Sequence, residues 1–99
     1  MLNGKYQGET IKETFNFLSR LSIGETILTQ VVTATTYSGI DATPAAIISG
    51  VASGSGSIVT QAITAGVVGV IYTLMCTITT SLGQTLQLSA FLTVQPNSV

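Results

Sequence analysis

The chain has 99 residues, a formal net charge of −1, three basic and four acidic residues, no histidine and one cysteine. This length predicts a single domain with one modest core, and three basic residues are too few for the Lys and Arg cluster that sequence-independent nucleic-acid binding requires. Without histidine and with one cysteine, the chain cannot supply a usual zinc site, a Ser-His-Asp triad or an intrachain disulfide.

Residues 1–9 contain two glycines and no hydrophobic period, so they are interpreted as an N-terminal arm that precedes a domain of residues 10–99. We expect this arm to be disordered in the isolated chain and to gain order on a neighbour, through backbone pairing or through Tyr6. The N-terminus lacks the basic segment and apolar core of a secretory signal, which predicts synthesis in the cytoplasm.

The next part of the chain predicts four short strands from alternation and β-branched content, at residues 10–18, 26–36, 45–51 and 57–64. Gly, Asp and Pro mark the connections between them, at residues 22–25, 37–44 and 52–56. In the first strand Phe15 and Phe17 should face the core, and a helix over residues 11–21 is the alternative interpretation.

The last two strands, at residues 68–80 and 84–94, alternate most clearly and predict a long antiparallel hairpin. Gly83 can supply the positive φ that the short loop needs. The inward side is predicted to consist of Val70, Tyr72, Leu74, Cys76, Ile78, Leu86, Leu88, Ala90, Leu92 and Val94. On this side Tyr72 is a loose match to the tyrosine corner of immunoglobulin-like domains, and Cys76 is interpreted as a small core residue.

Strands about ten residues apart, without a long amphipathic helix, predict an all-β fold. We expect a single immunoglobulin-like β-sandwich of six to seven antiparallel strands with a short N-terminal arm. The most apolar run, residues 65–76, contains Thr73 and is shorter than the about 20 residues of a spanning helix, so no membrane partner is predicted.

Catalytic chemistry has weak candidates in this sequence. The carboxylate pairs Glu9 with Glu13 and Glu25 with Asp41 are interpreted as solvated charges rather than as an acid and base. The glycine-rich residues 50–56 are followed by neither a lysine nor a helix, so they predict a turn rather than a phosphate loop. No enzyme activity, catalytic residue, cofactor or metal is predicted.

All charged side chains precede residue 42, so the rest of the surface depends on Thr, Ser and Gln for its polarity. Two explanations stay open: a β-domain hydrated by hydroxyls and amides, or a surface covered by other copies or partners in a permanent assembly. The candidate interface residues are Lys5, Tyr6, Tyr37 and Phe91.

Five segments carry a resemblance to a known family: Gly24 to Ile27, Tyr37 to Gly39, Thr60 with Gln61, Ala65 to Tyr72 and Cys76 to Thr85. With a lysine-containing arm, they form a G-[ED]-T-I turn, a G-x-x-G-x-x-Y strand opening and a T-T-S-x-G hairpin. In this order, from about Lys5 to Val94, the chain resembles small immunoglobulin-like virion proteins of tailed bacteriophages, some of which are called fibre-tail adaptor proteins.

The resemblance implies a structural virion protein that joins tail fibres to the tail or connector, and it implies no catalytic residues. The expected partners are other phage structural proteins, namely a tail or connector ring and fibre subunits, with several copies of the chain in one assembly. Two alternatives are a capsid decoration protein and, with less support from the aromatic residues, a module that binds host glycan. The number of copies per particle separates a tail adaptor from a decoration protein.

Overall fold

The structure is a computed structural model that describes residues 2–95, so residue 1 of the predicted arm and residues 96–99 of the predicted domain lie outside it. Residues 2–95 contain seven strands: β1 (Leu2–Tyr6), β2 (Ile11–Asn16), β3 (Ile27–Ser38), β4 (Ile48–Ser55), β5 (Ile58–Ile63), β6 (Ile71–Thr80) and β7 (Thr85–Gln95). They form a four-stranded sheet of order β1-β7-β6-β3 and a three-stranded sheet of order β2-β5-β4. The predicted all-β sandwich is confirmed.

The strand order is that of an immunoglobulin-like sandwich. β2, β5 and β4 correspond to the B-E-D strands of that fold, and β3, β6 and β7 correspond to C-F-G. These six strands pair antiparallel, whereas β1 pairs parallel with β7.

The core lies between the sheets, and strand alternation accounts for its membership. Every second residue of β6 is buried, and the inward side chains of β7 are those that the sequence predicts. The buried hydrophobic residues are Phe15, Phe17, Val32, Ala34, Ile47, Ala52, Val59, Ile63, Val70, Tyr72, Leu74, Cys76, Ile78, Ala90, Leu92 and Val94. The hairpin prediction is confirmed as well, with Gly83 at φ 81° in the loop.

The N-terminal segment differs from the expected disordered arm. Leu2–Tyr6 forms β1, whose backbone pairs with Phe91–Gln95 of β7. The register places Lys5 opposite Val94, on the inner side of the sheet, where the side chain is only 2% exposed. An alternation of polar and apolar residues cannot reveal this strand, because a lysine occupies its inward position. The domain boundary between residues 9 and 10 stays a prediction.

The region of residues 44–56 also differs from the expectation. Pro44–Ile47 is a short 3-10 helix where a strand was expected, and β4 begins only at Ile48 and continues to Ser55. Proline favours the first position of a helix because its φ is fixed and its missing N–H has no partner there. The β4 to β5 register shifts between Ser49 and Ser53, and the buried Gln61 amide holds this bulge by donating to the carbonyls of Ser49 and Gly50.

The alternative helix over residues 11–21 is not formed. Residues 11–16 are β2, as the strand interpretation predicts, and Leu18–Arg20 is a single 3-10 turn. β3 extends to Ser38 and therefore includes Tyr37, which the sequence had assigned to a loop.

Candidate interaction surface

Tyr37 and Phe91, two of the four residues predicted at an interface, lie side by side. Their ring centroids are 4.6 Å apart and their planes meet at 49°. Tyr37 occupies a register shift between β3 and β6, and its side chain is 65% exposed, whereas Phe91 on β7 is half-buried. Tyr37 lies at this shift on the same side of the sheet as Phe91, so two residues distant in sequence form one aromatic pair on the surface.

This pair belongs to the outer face of the four-stranded sheet, the side opposite the core. The face consists of Thr29, Val31, Thr33, Thr35 and Tyr37 of β3, of Ile71, Thr73, Met75, Thr77 and Thr79 of β6, and of Thr85, Gln87, Ser89, Phe91, Thr93 and Gln95 of β7. Every one of these side chains is uncharged. The outer face is therefore a continuous surface of hydroxyl, amide and apolar groups.

Cross-strand hydrogen bonds hold several polar side chains of the outer face in place. The hydroxyls of Thr29 and Thr79 lie 2.5 Å apart, and the Gln87 amide donates to the Thr77 hydroxyl over 3.1 Å. Side chains that are already fixed lose less conformational entropy when a partner covers them. The outer face is consequently better prepared for docking than a surface of free lysines and glutamates.

A buried tyrosine supports the chain just beyond Tyr37. The Tyr72 hydroxyl donates to Asp41 Oδ2 over 2.6 Å and accepts the Val67 N–H over 2.8 Å. Burial raises the pKa of Tyr72, and the Tyr72 hydrogen bond lowers the pKa of Asp41, followed by the bond from the Thr43 N–H. Tyr72 therefore ties the loop after β3 to the chain before β6, as a tyrosine corner does.

Of the other two predicted interface residues, Lys5 lies on the inner side of the sheet, and Tyr6 lies on the same side of the sheet as Gln95, at one end of the outer face. The Lys5 ammonium donates to the carbonyls of Tyr6, Gln7 and Ala65 over 2.8, 3.1 and 2.7 Å, and burial lowers its pKa although Glu9 acts in the opposite direction. Tyr6 is 41% exposed and is paired with Gln95, four residues or about 13 Å along the strand from Phe91. An interface role for Lys5 stays a prediction, and its ammonium already has three acceptors inside the protein.

The remaining chemistry-bearing groups are arranged for stability. Cys76 is fully buried, and burial raises the pKa of its thiol from 9.0 to about 11, so the nucleophilic thiolate is disfavoured. Glu25 accepts the Ser22 N–H and the Thr80 hydroxyl, and these two bonds lower its pKa in that order.

Residues 2–95 contain neither a metal-binding cluster of His, Cys, Asp or Glu residues nor a membrane-spanning helix. No group of three His, Cys, Asp or Glu residues in this range is placed to hold a metal ion. No helix in the same range is long and apolar enough to cross a membrane.

Comparison with known proteins gives a match to a family. Residues 5–93 match the family described as Podophage GP4 fiber-tail adaptor protein gp77. No curated protein matches the chain, and no solved structure matches it. The matched range contains both Tyr37 and Phe91.

Proposed function

The chain belongs to the podophage GP4 fiber-tail adaptor family, and we propose that it is a structural adaptor, docking on the tail or connector and presenting a surface to fibre subunits. The outer face of the four-stranded sheet is the proposed docking surface. The observation that carries this proposal is the Tyr37 and Phe91 pair within a face that has no charged side chain.

The composition of the outer face supports docking in physical terms. The centres of protein interfaces are depleted in charged residues and enriched in aromatic residues, because charges are costly to desolvate while rings bury a large area. Tyr37 is well placed to anchor a partner, since most of its ring is exposed and Phe91 supports it from one side. Val31, 57% exposed on the same face, adds apolar area.

A photo-crosslinking amino acid tests this surface directly. Benzoylphenylalanine at position 37 is expected to crosslink to a tail or connector protein in purified virions, identified by mass spectrometry. Val51 is the matched control position, since it is 91% exposed but lies in β4 of the other sheet. Crosslinks from position 51 alone would contradict the outer-face assignment, and crosslinks from position 37 to a capsid protein would favour the decoration alternative.

Substitution gives a second readout. Tyr37→Ser and Phe91→Ser are expected to reduce the copies of the chain per virion, whereas Val51→Ser should leave the number unchanged. Equal incorporation of all three variants would show that the aromatic pair does not contribute to docking.

A further inference from the structure

One edge of the four-stranded sheet is only partly covered. β1 pairs with Phe91–Gln95, and among residues 2–95 no strand pairs with the preceding part of β7 on that side. The Gln87 carbonyl points to this open side, because it accepts a hydrogen bond from the Arg20 guanidinium over 3.3 Å. In an antiparallel strand the N–H and C=O of one residue point the same way, so the backbone of Thr85, Gln87 and Ser89 faces outward.

The core is incomplete at the same place. Along β7 the inward side chains Ala90, Leu92 and Val94 are buried, whereas Leu86 and Leu88 are only half-buried although they pack against the core. The inward side chains of β7 are therefore fully buried in or directly beside the stretch that pairs with β1. They are only half-buried where no strand pairs with β7 on that side. The edge strand β2 of the other sheet, by contrast, buries two of its inward side chains, Glu13 and Phe15, and leaves Ile11 at its first position half-buried.

We propose that the open edge of β7, residues 85–89, accepts an extended segment of another virion protein as an added β-strand. The segment would lie end to end with β1 and pair with about 17 Å of backbone. Its inward side chains would be apolar and would cover Leu86 and Leu88. This inference rests on the proposed function only for the origin of the segment, a fibre or tail protein.

The position of Arg20 indicates that the incoming segment carries an acidic side chain. Its guanidinium lies at the open edge, and its 3.3 Å contact with the Gln87 carbonyl is at the long end of the hydrogen-bond range. An added strand takes over this carbonyl and releases the guanidinium. A carboxylate on the segment would then meet Arg20, so the proposed occupant is an alternating apolar strand that carries an acidic side chain near Gln87. In the free protein Arg20 shields the edge from unwanted pairing.

Hydrogen exchange at single-amide resolution tests the proposal on the full chain, free and in purified virions. The amides of Thr85, Gln87 and Ser89 should exchange rapidly in the free protein and about tenfold or more slowly in the virion. The Leu86 and Leu88 amides, which point to β6, serve as the internal reference and should be slow in both. Rapid exchange of the first three amides in the virion would overturn the proposal.

Two variants at one position give a matched comparison. Gln87→Pro removes the outward N–H, a change that an edge position tolerates, whereas Gln87→Thr keeps it. The proline variant should be incorporated into virions about tenfold less than the threonine variant, since the added strand loses a backbone bond and meets the ring. Equal incorporation would overturn the proposal, and if the proline variant does not fold, the exchange measurement decides.

The exchange result is distinguishable from failure of the proposed function. If position 37 crosslinks to a tail protein while the three edge amides stay rapid, the strand inference is wrong and the adaptor function stands. If the three edge amides are protected while the chain crosslinks only to capsid protein, the edge accepts a strand, but the adaptor function is wrong and the segment belongs to the capsid.

Discussion

Replacing Tyr72 with phenylalanine should destabilise the protein through loss of one hydroxyl. That hydroxyl donates to Asp41 and accepts the Val67 N–H, and the tyrosine side chain is fully buried. Phenylalanine keeps the ring and its packing, so the change isolates the two hydrogen bonds. Without the hydroxyl, the Val67 N–H loses its acceptor, and Asp41 keeps its hydrogen bonds with the backbone N–H and the side chain of Thr43.

The expected cost follows from the state of the groups left behind. An intramolecular hydrogen bond contributes about 0.5 to 1.5 kcal/mol net, and Tyr72→Phe removes two part-buried bonds, so a loss of about 1 to 3 kcal/mol is expected. In a domain of this size each kcal/mol lowers the melting temperature by about 4 to 8 °C. Tyr72→Phe should therefore melt well below the wild type, while the fold itself persists because the core packing is unchanged.

A double-mutant cycle in urea tests the network. Tyr72→Phe, Asp41→Asn and the double variant are compared with the wild type by equilibrium unfolding, and the Tyr72 and Asp41 substitutions should be non-additive because the two side chains share a bond. A loss below about 0.5 kcal/mol for Tyr72→Phe, the size of an ordinary surface change, would refute the reasoning. Additive effects would refute the Asp41 contact in particular.

The other predictions concern packing, pH and β1. Leu74→Ala should lose about 2 to 5 kcal/mol because the side chain is fully buried, whereas Thr77→Ala on the outer face should lose much less; equal stability in chemical denaturation would contradict the facing of β6. The folded pKa of Cys76, about 11, exceeds its unfolded value of 9.0, so its contribution is complete below pH 9 and is lost as the pH rises toward 11; Cys76→Ala should show a shallower alkaline decline in denaturation curves. The pKa of Glu25 is lower in the folded protein than in the unfolded chain, so its charged form stabilises the fold at pH values above the usual pKa of a glutamate, and this contribution is lost as the pH falls. Glu25→Gln should therefore make stability less dependent on pH in the acid range of the same curves, and an unchanged dependence would count against this assignment. Deleting residues 1–8 should lower the melting temperature by at least about 5 °C, because β1 is part of the sheet, and an unchanged melt would mean that β1 adds nothing to the fold.

The parts of the fold that sequence could predict are those with a clear period. Every second residue is apolar from Tyr72 to Ile78 in β6 and from Leu86 to Val94 in β7, so both the existence and the inward faces of these strands follow from the sequence. β1 could not be found in this way, because Lys5 occupies an inward position and its ammonium is stabilised there by the carbonyls of Tyr6 and Gln7 and by that of Ala65, which only folding brings close.

The 3-10 helix at Pro44–Ile47 does not follow from the sequence for a different reason. Its apolar residues Pro-Ala-Ala-Ile fit a strand as well as a turn. Which of the two forms depends on tertiary contacts such as the hydrogen bond from the Thr64 N–H to the Ile47 carbonyl. Pro44 followed by small residues was the available signal, since proline favours a first helical position.

The sequence predicts the residues of the candidate site but not their contact. Tyr37 and Phe91 were identified singly as possible interface aromatics, but their contact depends on a bulge in β3 and on β6 lying between their strands. The open edge of β7 has no local sequence signal either, because Leu86 and Leu88 look like ordinary inward residues. They are half-buried only because β1 pairs with residues 91–95 of β7 and does not extend along residues 85–89.

A cryo-electron microscopy map of the purified virion tests the adaptor account most directly. The account predicts density for the domain at the tail or connector, with the outer face around Tyr37 and Phe91 covered by a neighbouring protein and fibre density in contact with the same domain. Density on the capsid shell, or a tail-bound domain whose outer face is open to solvent, would contradict it.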